Sequence, residues 1–114
     1  MNFKPILLNF TEDELRSMAM EKAETIVIRT YVNGNSNDEE RPSTETEKAI
    51  LTKLIYGALF AIRFRDDSAQ AAMDTAEFTA HEFFDGVNCY FSVYVPIQHI
   101  LRECHERMKE MEKL

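Results

Sequence analysis

Thr25-Ile26-Val27-Ile28-Arg29-Thr30-Tyr31-Val32 is the stretch on which the fold turns. Its density of β-branched residues is that of a strand. Yet Ile26, Thr30 and Asn33 also extend, at helical spacing, the apolar stripe Leu15, Met18, Ala19, Ala23 that precedes them. That stripe has a well-marked start. Thr11 with Glu14 forms a capping-box pattern, and Phe10 with Leu15 a hydrophobic staple. On one reading the first helix therefore runs to Asn33. On the other, residues 25–32 are extended and need a partner strand.

The only other segment of strand composition is VNCYFSVYV, Val87 to Val95. It is ambiguous in the same way. Pro96 suits the first position of a helix, with Val95 extended before it. Yet Tyr90, Val93, Tyr94, Ile97, Leu101 and Cys104 hold one helical face straight through the proline. From Ile97 to Lys113 the pattern is helical.

Two further helices lie between these segments. One starts after Pro42 at a second capping box, Thr44 with Glu47. It carries Ile50, Leu51, Leu54, Ile55, Ala58, Ala61 and Ile62 on one side, and Tyr56, Leu59, Phe60 and Phe64 on the other. A helix apolar nearly all round belongs at the centre of a fold. The next runs from about Ser68 to Asp85, before Gly86, with a core stripe of Ala69, Ala72, Met73, Ala76, Ala80, Phe83 and Phe84. The expected fold is all-α, a small bundle of about four helices in a single domain, 1–114. The alternative is α+β, three helices with a short two-stranded element from residues 25–32 and 87–95. The run 33–42, NGNSNDEERP, reads as a flexible polar loop.

The chain has 114 residues, with 13 basic and 20 acidic, for a net charge of −7. A nucleic-acid binder shows a basic stripe, and none is visible, so no direct nucleic-acid contact is expected. An anionic membrane surface is disfavoured by the same charge. No apolar run approaches a membrane span; the best, Leu54 to Ile62, is about half the ~18 residues needed. The N-terminal MNFKPILLNF is too short in apolar residues for a secretory signal. Cys89 and Cys104 make a poor disulfide framework and read as reduced thiols, so a cytoplasmic location is expected.

Chemistry-bearing motifs are sparse. Gly34, Gly57 and Gly86 are scattered, so phosphate loops and dinucleotide fingerprints are absent. No serine has a nucleophile-elbow context. Cys89, Cys104, His99 and His105 lack zinc-ligand spacing, and neither a metal nor another cofactor is expected. No enzymatic activity is expected.

One feature rises above this background. From Asp66 to Leu101 there is no lysine or arginine. Within that stretch the third helix sets Asp74, Phe78, His81, Glu82 and Asp85 on its outward side, with Glu77 beside them. An outward phenylalanine ringed by acids suits an interface anchor. Asp74, Glu77, Phe78, His81, Glu82 and Asp85 are the expected partner-binding residues, and the expected function is binding and inhibition of a basic protein, such as a nucleic-acid-handling or host-defence factor. In size and charge alone the chain resembles the small acidic inhibitors common among phages and mobile elements; no family motif is present. A second reading is a small-ligand or metal-binding bundle with weak hydrolase activity, using Glu77, His81, His99 and Glu103. A third is a structural subunit that dimerises through a helical face. Phe60, Phe64, Phe78, Phe91 and four tyrosines exceed what one short core hides, so a homodimer is expected.

Overall fold

The computed structural model describes residues 10–31, 38–65, 68–84, 89–90 and 92–112. In chain order the elements are α1 (Glu12–Ala23), β1 (Val27–Tyr31), β2 (Asp38–Pro42), α2 (Glu45–Phe64), α3 (Ala69–Phe84), β3 (Cys89–Tyr90) and α4 (Tyr94–Glu112). The four expected helices are present, and the two segments that could pair do so as well. β1 is the middle strand of an antiparallel sheet ordered β2-β1-β3. Arg29 faces Tyr90 and Thr30 faces Cys89 on one side. Val27 to Tyr31 face Pro42 to Asp38 on the other.

Both capping boxes form. The Thr11 and Thr44 hydroxyls accept from the backbone N–H of Glu14 and Glu47, each at 3.2 Å, and each glutamate accepts in return from the threonine N–H. α1 does not continue to Asn33. It stops at Ala23, where the Thr25 hydroxyl donates to the Lys22 carbonyl at 2.7 Å and the Ile26 N–H reaches only Ala23. Beyond this turn the β-branched residues gain more from the sheet than from another helical turn. Ile26 and Ile28 point into the core while Val27 and Arg29 face outward, the alternation of a half-buried strand.

The polar run after β1 needs correction in its second half. Residues 32–37 lie outside the described residues, but Asp38–Pro42 is a strand rather than a loop. Its backbone pairs with β1, and its side chains add ion pairs. Glu40 meets Arg29 at 3.1 Å, and Arg41 makes a fork to both Glu47 oxygens at 2.7 and 2.9 Å. Charge and a proline on this outer strand discourage further strand addition.

α2 packs against all three other helices, most extensively against α1 and α3, as its apolar character requires. Its Leu51, Ile55, Leu59 and Ile62 are fully or almost fully buried. They meet Leu15 and Ala19 of α1, Met73, Ala76 and Ala80 of α3, and Ile97, Ile100 and Leu101 of α4 in one cluster. Phe84 belongs to that core, but Phe83 does not and is 62% exposed. Ala76, Ala80 and Phe84 are spaced i, i+4, i+8 and share a line along α3, from which Phe83 is turned by about 100°.

α4 begins earlier than Pro96. Tyr94 is its first residue, so Val95 is helical and Pro96 sits within the first turn. There the missing N–H costs nothing, because first-turn N–H groups have no intrahelical acceptor. Helical geometry is disfavoured at the residue before a proline. What offsets that cost here is a cap supplied by another helix. No helix among the described residues is long and apolar enough to cross a membrane.

Candidate partner-binding surface

α3 presents two different faces beyond its core stripe. The first turns toward α4 and is occupied. Glu77 Oε2 accepts the backbone N–H groups of Val93 and Tyr94 at 2.9 and 3.1 Å. Ser92 Oγ accepts the same Tyr94 N–H at 3.2 Å. These are orphan donors at the start of α4, so Glu77 acts as its N-cap from across the bundle. One turn further on, His81 Nε2 lies 3.6 Å from Glu77 Oε1. Gln70, two turns before Glu77, accepts the Tyr94 hydroxyl at 2.8 Å and donates to Asp74 at 2.9 Å.

The second face points to solvent. Phe78 is 66% exposed in mid-helix, with Asp74 one turn before it and Glu82 one turn after, both exposed. Acid, aromatic ring and acid thus recur at i, i+4, i+8, about 12 Å from end to end. Of the six residues expected to bind a partner, the structure brings Asp74, Phe78 and Glu82 together on this open face. It assigns Glu77 to the cap and sets His81 beside it. Asp85 lies outside the described residues. Glu77, expected among the partner-binding residues, turns its carboxylate toward α4. Its carboxylate is half-buried because two backbone donors at the start of α4 converge on it.

A second apolar surface lies on α2, which carries Phe60 and Phe64, two of the large apolar groups expected to exceed what the core hides. On the side of α2 away from its core, Phe60 and Phe64 stack in tilted contact with centroids 4.8 Å apart, and Tyr56 adjoins Phe60 at 6.0 Å. Cations cover these rings. The Arg63 guanidinium lies 4.4 Å from the Phe64 centroid, Arg65 lies 5.7 Å from Phe60, and Arg16 of α1 lies 4.9 Å from Tyr56. The available signal was Phe60 and Phe64, four residues apart on one helical face, with Arg63 and Arg65 flanking Phe64 in sequence.

The chain matches no protein-family model, no curated protein and no solved structure.

The residues considered for a metal or small-ligand site do not converge. Glu77 and His81 belong to the junction of α3 with α4. His99 lines a cleft of 720 Å³ between the end of α1, β1 and the start of α4. The cations of that cleft are already paired, Lys22 with Glu103 at 2.6 Å and Arg29 with Glu40 at 3.1 Å. Among the described residues no three His, Cys, Asp or Glu side chains are grouped to hold a metal ion. Cys104 is buried against Met18, its sulfur 3.9 Å from the thioether, and burial pushes its thiol up to about 11. Such a thiol is a packing group rather than a nucleophile.

Proposed function

We propose that this protein is a non-enzymatic interaction protein that binds a basic protein partner through the outward face of α3 and inhibits it by occupying that partner's phosphate-binding surface. The observation that carries the reading is Phe78, two-thirds exposed in mid-helix between Asp74 and Glu82, in a stretch from Asp66 to Leu101 that holds no lysine or arginine. An exposed aromatic ring in mid-helix supplies apolar anchoring, and the flanking carboxylates supply steering and register. The net charge of −7 favours a basic partner at long range.

The test is affinity capture from cells with the wild type, Asp74→Lys/Glu82→Lys and Phe78→Ala, at low and high salt. A basic protein should be retained by the wild type and lost by the double-lysine variant. Phe78→Ala should weaken the capture with little change in its salt dependence, because it removes contact area and leaves the field unchanged. Equal retention of the same protein by all three variants would remove α3 from the binding surface.

A further inference from the structure

The cleft between the end of α1, β1 and the start of α4 holds more hydrogen-bond donors than the fold uses. The Lys22 ammonium has three N–H donors and uses one, on Glu103 at 2.6 Å, although its side chain is only 16% exposed. A cation so far withdrawn from water with donors unused is a costly arrangement unless an acceptor comes to it. Arg29 donates from Nε to Glu40 at 3.1 Å and leaves both terminal nitrogens without an acceptor among the described residues. Ser92 Oγ accepts the Tyr94 N–H, but its own proton has no acceptor there, and His99 makes no hydrogen bond or ion pair with a described residue. Among the described residues that line the cleft, Glu40 is the one acid, in a chain of net charge −7.

The same cleft has apolar walls. Val27 and Val95 line it about half exposed, beside the buried Ile26 and Pro96. Its volume of 720 Å³ is that of a small-molecule site, and apolar walls with a few polar groups are the usual make-up of one. Surplus donors select an anion, and the valines select one with an apolar body. Glu40 and Glu103 each already balance one cation, so the site suits a single negative charge rather than two. A carboxylate matches the paired terminal nitrogens of a guanidinium.

We infer that this cleft binds a small organic carboxylate, with its oxygens on the terminal nitrogens of Arg29 and its apolar body against Val27 and Val95. Lys22 and Ser92 supply further donors to the bound anion. No residue of α3 lines the cleft, so this site is separate from the partner-binding face and goes beyond it.

The experiment is an NMR titration of the isotope-labelled full chain at neutral pH. The probes are naphthoate, acetate, inorganic phosphate and naphthylmethylamine. Naphthoate should shift the signals of Val27, Val95 and His99 and saturate at about millimolar concentration, the range expected for a probe of its size. Acetate and phosphate lack the apolar body and the amine lacks the negative charge, so each should bind at least about tenfold more weakly. Arg29→Met keeps an unbranched stem at an exposed position and should weaken naphthoate by about tenfold or more, the usual effect of losing hydrogen bonds from a charged group. Glu40→Gln should tighten it, because it removes a competing carboxylate from Arg29. Asp74→Asn makes the same charge change on α3 and should leave the affinity as it is. Circular dichroism is the folding control, and Glu40→Gln keeps the test decisive if Arg29→Met fails to fold. The inference is overturned if naphthoate gives no saturable shift at Val27 and Val95, if phosphate or the amine binds as well, or if Glu40→Gln and Asp74→Asn have the same effect. None of these outcomes bears on the α3 face, whose test is the capture of a basic protein.

Discussion

Glu77 in the middle of α3 accepts the backbone N–H of Tyr94, the first residue of α4, at 3.1 Å. This contact divides the acidic residues of α3 into two kinds. Asp74 and Glu82 are exposed and can serve a partner. Glu77 is committed to the fold.

Glu77→Ala should therefore lower stability by about 1–2 kcal/mol, the usual cost of losing a helix cap and its acceptor. Glu77→Gln keeps a carbonyl oxygen in place and should cost less. Asp74→Ala should stay within about 0.5 kcal/mol, as for a solvated surface side chain. Urea unfolding of the three variants checks this. An equal cost for Glu77→Ala and Asp74→Ala would show that the cap contributes nothing.

Gly57 lies inside α2, and a Cβ built there would meet no atom within 4 Å. Glycine in a helix interior carries an entropic penalty relative to alanine. Gly57→Ala should raise stability by about 0.5–1 kcal/mol. Thermal and urea unfolding of dilute protein would register the gain, and a loss would mean that the site is more crowded than the open space described.

The Glu47 carboxyl is held down to about 2, from 4.5, chiefly by its hydrogen bonds from Arg41 and with help from Thr44 at the start of α2. A carboxyl with a lowered folded-state value stabilises the fold above its unfolded value and loses that contribution as pH falls. Stability should thus decline as pH drops from 4.5 toward 2. Glu47→Gln should be destabilised near neutral pH and should show a flatter decline over that window. Denaturant midpoints measured across it decide the point; parallel profiles would contradict it.

Cys104 has the opposite sign. Burial raises its thiol to about 11, so the folded state prefers the neutral form. Its contribution is complete below the unfolded thiol value and declines as pH rises from 9 toward 11. In a Cys89→Ser background, Cys104 should react with a thiol reagent at pH 8 only when the protein is unfolded. Rapid modification of the folded protein would place the thiol at the surface.

Some of this molecule is legible in the chain because the interactions responsible are local. Thr11 with Glu14 and Thr44 with Glu47 act across three residues, so both helix starts follow from sequence. The alanine line of α3 and the outward position of Phe78 follow from helical period alone. Residues 25–32 were open because helix and strand patterns both fit them. The strand prevailed through pairing with β3, whose strand composition is legible, and with β2, a polar run that no local pattern marks as a strand. Glu77 was read as a surface acid for the same reason. The N–H groups that donate to it lie 16 and 17 residues away, and only the packing of α3 against α4 brings them together. That cap also let α4 begin before Pro96. That Phe60 and Phe64 exceed the core is legible from the count of large apolar residues, but which side of α2 carries them outward is not, because an all-round apolar helix reads as central. α2 is central to its three neighbours, yet three helices do not enclose a fourth on every side, and the tertiary arrangement decided which side stayed open.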